Sequence, residues 1–371
     1  MPENIYINGR FLTQAITGVQ RYGHEIVSAF DQLLIAGEID SEKYQLILLT
    51  PSKNILFNPA YQKIEKWAVG RFRGHLWEQL ELPKYCADGL LFCPGNTAPI
   101  SSLNSEQKVV VTIHDLSYHY FPEAYSLPFR MWYHFLIPKI FARTDAVITV
   151  SNSEKSSLIK HFPEAQHKIF TVQNGGLPTQ FLNKASKSYA GIEKKSILYV
   201  GALNRRKNIE GVLKAFELVY QKKDLQLIIA GASGKSFQKF YQKESSRYSE
   251  KINFLGQIND PDELVALYQK SLCLLFPSFY EASPLPPIEA MACGCPVIAS
   301  DIPSLRERCK DAALYCDPYD VNSIAQAILT LAENSTLHEE LIEKGYKQTA
   351  KYNWQNCARE TFHIIENAIK L

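Results

Sequence analysis

Short, unbroken apolar runs recur along this chain, and they constrain its fold more than any other feature. Val109–Ile113 (VVVTI) is a continuous β-branched run. NIYIN (4–8), YQLILLT (44–50), LLFC (90–93), AVITV (146–150), ILYV (197–200), LQLIIA (225–230) and CLLF (273–276) read in the same way. Runs this short, with little polar alternation, suit strands buried on both faces, as in a parallel sheet covered by helices. Helix-patterned segments separate them, such as GVQRYGHEIVSAF, with apolar positions at Val19, Tyr22, Ile26, Val27 and Phe30. The alternation predicts an α/β chain whose working side chains sit at the carboxyl ends of its strands.

A length of 371 residues exceeds what one core normally serves and predicts two domains. The polar, aperiodic stretch Leu177 to Glu193 reads as the linker, giving an N-terminal domain at 1–180 and a second at 181–350. Lys and Arg number 40 against 38 Asp and Glu, nearly balanced in each half, so no basic patch invites nucleic acid. No run of eighteen apolar residues occurs, and Asn4, Asn8 and Arg10 interrupt the first strand where a signal peptide would be apolar. Eight cysteines without paired C-x-x-C spacing suggest reduced thiols and a cytoplasmic location.

Chemistry concentrates in Phe276–Ser300, FPSFYEASPLPPIEAMACGCPVIAS. A strand leads into a Pro-rich loop and a short helix beginning near Pro287, so Glu281 and Glu289 flank a helix start. Free N–H groups of a first turn suit a phosphate, and a carboxylate there can accept from two neighbouring sugar hydroxyls. Phosphate and hydroxyls in one place describe a nucleotide sugar. Arg205, Arg206 and Lys207 follow the strand KSILYV and could neutralise a diphosphate. In the first half, Gly18 opens a helix after strand one, and His114 and Asp115 end the Val109–Ile113 strand. Asn96 ends the strand before it.

Two motifs mislead. GASGKS (231–236) has two residues between its glycines where a phosphate-binding P-loop needs four. Asp260-x-Asp262 precedes a helix with Pro261 at its start and reads as a cap, so no metal is expected. Asn152 or Ser153 is the expected cap of the helix after AVITV. Residues 126–143, aromatic with Arg130, Lys139 and Arg143 interspersed, suit a core helix pair interrupted at Pro138 or a membrane surface, with the helix pair preferred.

The Glu281–Glu289 segment, with LPPIEAMACGCPVIASDIPSLRE around it, resembles the signature of retaining glycosyltransferase family 4. TGVQRY, GHLWEQLELP and VVVTIHDLSYHYFPEAY are similar to a subgroup that builds bacterial polysaccharides, transferring mannose or deoxyhexoses. The resemblance implies a GT-B fold, two Rossmann-like domains facing across a cleft, with a last helix (351–371) packing back on the first. It implies a hexosyltransferase acting on a nucleotide diphosphate sugar, GDP-mannose first, and on a glycan or lipid-linked acceptor. No metal or other cofactor is implied, and peripheral contact at the inner face of the membrane stays open.

The roles implied are catalytic for His114 and Glu281, and donor-binding for Gly18, Val19, Arg206, Lys207, Ser283, Leu285 and Glu289. Arg21, Asn96, Asp115 and Arg205 are lesser candidates. The chain departs from the family where Ala282-Ser283-Pro284 stands for a Gly-Phe-Gly loop, and where Leu203 stands for a frequent arginine. The altered loop leaves room for a non-catalytic nucleotide-sugar-binding relative, and a sugar phosphorylase or nucleotide-sugar hydrolase could use the same site.

Overall fold

A computed structural model describes residues 2–177, 195–232, 251–258 and 260–370. The linker expected at 177–193, past Leu177 and up to Glu193, and the P-loop imitation beyond Ala232 fall outside these residues. The chain divides into two units, one comprising the chain up to Gly175 and from Asn353 onward, the other Gly176–Tyr352.

The first unit holds seven parallel strands among the described residues: β1 (Glu3–Asn8), β2 (Tyr44–Pro51), β3 (Glu65–Val69), β4 (Leu90–Cys93), β5 (Val109–Thr112), β6 (Ala146–Thr149) and β7 (Ile169–Thr171). Their order is β3-β2-β1-β4-β5-β6-β7. The β-branched run pairs on both sides, Val110 opposite Phe92 and Ala146, with no solvent on either face. β3 lacks an apolar run, being an edge strand with Glu65, Trp67 and Ala68 exposed. Asp31, buried on the Gly18–Ile35 helix, accepts from the N–H groups of Gln62, Lys63 and Ile64 and so aims the chain into β3.

The helix Trp354–Lys370 belongs to this unit and lies against Gly18–Ile35. It buries Trp354, Ala358 and Ile365, at the spacing of one apolar stripe. The Trp354 ring meets Tyr22 at 5.9 Å between centroids, and Phe362 meets Phe30 at 6.1 Å. A Cβ on Gly175 would stand 2.5 Å from the Trp354 ring, so only glycine fits there.

Two expectations are corrected here. Residues 127–143 form one helix through Pro138 instead of a broken pair. Proline costs the helix one rung, but Leu136, Ile137, Ile140 and Phe141 are buried on the two sides of it and hold the segment together. The cap of the helix Asn152–His161 is Ser151, whose extended backbone lets Oγ accept from Glu154 N at 3.1 Å.

The second unit holds six parallel strands among the described residues: β8 (Ser196–Val200), β9 (Gln226–Ala230), β10 (Ile252–Gly256), β11 (Cys273–Phe276), β12 (Val297–Ser300) and β13 (Ala313–Cys316). Their order is β10-β9-β8-β11-β12-β13. Alternate residues enter separate cores, Cys273 and Leu275 on one face, Leu274 and Phe276 on the other. Gly231 lets the loops after β8 and β9 approach, since a Cβ there would lie 1.8 Å from Gly201 O.

Candidate active site

In the second unit the site is built where β8 and β11 end. After β8 the chain turns through Arg205–Lys207, a single 3-10 turn capped by Asn204, whose Oδ1 accepts from Lys207 N at 3.1 Å. Asn208 follows with φ 56°, a left-handed conformation that asparagine tolerates. Its buried amide caps the helix Ile209–Tyr220 at Gly211 N and donates to Pro277 O and Pro318 O. One side chain thus ties the loop after β8 to the loops after β11 and β13.

That strap brings three charges together. Lys207 Nζ lies 2.5 Å from Glu281 Oε1, and Arg206 Nη1 lies 3.5 Å from Oε2. Arg206 Nη1 also donates to Tyr280 O at 3.1 Å, while Arg206 O accepts from Phe279 N. Lys207 Nζ sits 4.8 Å over the Phe276 ring. Burial alone would raise the Glu281 carboxyl, but the charges of Lys207 and Arg206 outweigh it and hold the group below its ordinary value. Glu281 is therefore an anion, and the trio carries one net positive charge. Arg205 is exposed and is not part of this contact. Leu203 is a core residue.

The loop after β11 leads into the helix Pro286–Ala292, with Leu285 as its N-cap and Glu289 in its first turn. Glu289 is 1% exposed, and Oε2 accepts from Tyr268 OH at 3.1 Å. Ser283 Oγ is buried and makes no hydrogen bond. Pro284 O accepts from the buried Arg308, so the loop is anchored on its inner side. Asp260 accepts from Asp262 N and caps the helix Pro261–Lys270, as its position before Pro261 predicts.

In the first unit, His114 is buried at the end of β5. Its N–H donates to Asn96 Oδ1 at 2.6 Å, with Asn96 itself left-handed at φ 54°. His114 Nε2 lies 2.8 Å from Pro94 O, which can only accept, so the proton is on Nε2 and Nδ1 keeps its lone pair. Burial lowers the pKa of the ring, against smaller opposing effects of Pro94 O and Asp115, and the imidazole is neutral. Tyr22 packs edge-on at 4.7 Å. Asp115 Oδ1 accepts from both N and Oγ of Ser117, the work of a cap. Gly18 and Val19 open the first helix, and Val19 lies against Gly95 beside Asn96. Arg21 is partly buried in the first turn of the same helix.

Sequence reasoning missed a buried network at the same sheet edge. Glu78 Oε1 accepts from Asn8 Nδ2 and Thr97 Oγ1, each at 2.7 Å, and pairs with Arg10 Nε at 3.2 Å. Arg10 also donates to Thr97 at 2.9 Å, and His75 Nδ1 lies 3.3 Å from Glu78 Oε2. Burial would raise the Glu78 carboxyl, yet Arg10, His75 and Thr97 hold it down at about 2. The members are up to ninety residues apart, so spacing gives no sign of them. Tyr268 escaped for the same reason, its partner Glu289 lying on another element.

The family model described as Glycosyl transferases group 1 matches residues 183–348, and that described as Glycosyltransferase Family 4 matches residues 92–175. The O-antigen chain mannosyltransferase B of Escherichia coli is 29% identical over 274 residues, covering 71% of each chain. The O-antigen chain mannosyltransferase RfbU of Salmonella typhimurium is 29% identical over 246 residues, covering 66% of each. Among solved structures, sucrose-phosphate synthase from Thermosynechococcus elongatus superposes with a TM-score of 0.73 at 20% identity, covering 99% of each chain. Anabaena Alr3699/HepE, solved with UDP and glucose, gives 0.71 at 13% identity, covering 99% of this chain and 100% of that one. The architecture is GT-B.

Proposed function

The chain belongs to glycosyltransferase family 4, and from that premise we propose that it transfers a hexose from a nucleoside diphosphate to a glycan or lipid-linked acceptor of a bacterial surface polysaccharide. Mannose from GDP-mannose is the first candidate and a deoxyhexose the second, supported by the mannosyltransferase names of the relatives. The observation that carries the reading is the convergence of Lys207 and Arg206 on the Glu281 carboxylate at the carboxyl ends of β8 and β11.

In this reading the two cations take the diphosphate and stabilise the charge that grows as it leaves. Glu281, held ionised, accepts from a hydroxyl of the sugar once Lys207 turns to phosphate. Glu289, oriented by Tyr268, accepts from the ribose hydroxyls. The sugar's anomeric C–O bond to phosphate breaks, and a new one forms to the acceptor oxygen on the same face. The acceptor proton passes to the departing phosphate oxygen, so configuration is retained without an enzymatic nucleophile. Ser283 and Leu285 line the donor, and Arg205 supplies outer charge. In the first unit, Gly18 and Val19 offer backbone N–H groups, with Arg21 beside them. His114 meets the sugar as a hydrogen-bond acceptor through Nδ1, supported by Asn96 and Asp115. No metal is required, since Arg206 and Lys207 supply the charge.

A thermal-shift panel of GDP, UDP and dTDP, each free and as the sugar nucleotide, tests the proposal. A ligand at one hundred times its dissociation constant adds about 2.7 kcal/mol of stability. One nucleotide series should raise the melting temperature, GDP-mannose foremost. No shift with any member would overturn the proposal.

A further inference from the structure

The helix Leu127–Arg143 is apolar on two faces. Tyr133, Leu136, Ile137 and Ile140 are buried in the first unit. Leu127, Met131 and Phe135, one turn apart along the opposite side, are 63%, 64% and 51% exposed. A helix apolar all round is normally buried all round, and a large outward apolar stripe marks a surface that meets something else.

The stripe has a neighbour. Between its members, Trp132 packs against His75 of the helix Gly74–Leu80, ring centroids 5.9 Å apart. That helix directs Leu76 and Leu80, also one turn apart, outward, and Phe72 precedes them exposed. Cations accompany both helices. Arg71 and Arg73 flank Phe72, Lys84 follows, and Arg143 ends the longer helix, all exposed. Lys139 Nζ lies 4.7 Å over the Phe135 ring, its stem along apolar surface. The acids of the shorter helix are both engaged: Glu78 is buried against Arg10, and Glu81 accepts from the N–H groups of Arg71 and Phe72. Residues 127–143 include no acid at all.

We propose that this face of the first unit seats the protein on an anionic lipid surface. Leu127, Met131, Phe135, Leu76 and Leu80 enter the boundary between headgroups and acyl chains, and the arginines and lysines meet lipid phosphates. Flexible apolar side chains with arginines and lysines along their rim match a fluid anionic surface. Among the described residues no helix is long and apolar enough to cross a membrane, so the contact lies in the interface plane. The inference does not depend on which donor the second unit binds.

Co-sedimentation of the whole chain with phosphatidylcholine vesicles, with and without phosphatidylglycerol, tests it. The protein should pellet with the anionic vesicles and be released by salt. Met131→Glu with Phe135→Glu should weaken that binding about tenfold or more. Both sites are exposed, so the melting temperature and nucleotide binding should hold. Arg71→Gln with Arg73→Gln should reduce the preference for phosphatidylglycerol, giving a second readout if the glutamate variant folds poorly. The proposal falls if the wild type ignores anionic vesicles at low salt, or if both variants bind as it does. It falls equally if the wild type ignores vesicles but is a dimer that the glutamate variant dissociates, for then the occupant is a second copy.

Discussion

At the scale of single residues, the account turns on Lys207. It stands within 2.5 Å of Glu281 and is nearly buried, so its ammonium has been drawn out of water to meet one carboxylate. Lys207→Ala should weaken nucleoside diphosphate binding about tenfold or more, the worth of a charge-assisted contact of roughly 1.5–3 kcal/mol. The bare nucleoside should bind nearly as before. Calorimetric titration of both ligands decides it, and equal losses would refute the phosphate role. Glu78 makes a separate prediction about stability. Its carboxyl is held at about 2 against an ordinary 4.5, so its ion pair stabilises the fold fully above pH 4.5 and loses that effect as pH falls toward 2. The shift corresponds to about 3 kcal/mol. Urea unfolding of wild type and Glu78→Gln should differ by that order at neutral pH and converge only as the pH reaches about 2. A difference that does not shrink with acid would place the effect in packing. Arg206, Lys207, Glu281 and Glu289 could be picked out from the sequence because each lies next to a strand end or helix start within a recognisable motif. Arg10 and Tyr268 could not, because their side-chain partners are joined to them only by the folding of the sheets.

At the scale of elements, strands were more legible than caps and surfaces. A parallel strand advertises itself by an unbroken apolar run, as at Val109–Thr112, whereas edge strand β3 has no such run and depends on Asp31 for its entry. The helix cap at Ser151 lay one residue before Asn152, because three neighbouring polar residues compete and backbone geometry alone chooses. The loop Ala282–Pro284 stands where the family resembled carries Gly-Phe-Gly. Pro284 has no N–H to offer a ligand, and Ser283 brings a buried hydroxyl without a partner. Pro284→Gly should shift the ranking of donor sugars in a competition assay while changing stability by no more than about 1 kcal/mol. An unchanged ranking would make the loop a packing variant. The last helix gives an independent test of the first unit. Trp354→Ala removes a buried ring that meets Tyr22 and should cost about 3–5 kcal/mol. Nucleotide binding by the second unit should survive, and its loss would show that the helix does more than complete the first core.

At the scale of the whole molecule, two units were readable from length and from the number of strand runs, and the architecture from the motifs. Return of the last helix to the first unit has no local signal beyond its apolar stripe, since nothing in Trp354–Lys370 states what that stripe covers. The exposed stripe of Leu127–Arg143 was ambiguous for a related reason: apolar content alone does not say which face is turned outward. In the proposed mechanism side chains neutralise the leaving charge, so transfer should persist in EDTA; loss on chelation and recovery with magnesium or manganese would replace the arginine–lysine mechanism with a metal one. The central claim is transfer of a sugar from a nucleotide with retention, and one measurement meets it directly. Proton NMR of GDP-mannose incubated with the protein follows the anomeric signal as it leaves the nucleotide. The account predicts release of GDP with an α-configured sugar product, slow with water and faster with a glycan acceptor, and much reduced in Glu281→Gln. A β-configured product, or a donor signal unchanged for this and every other nucleotide sugar tried, would contradict it.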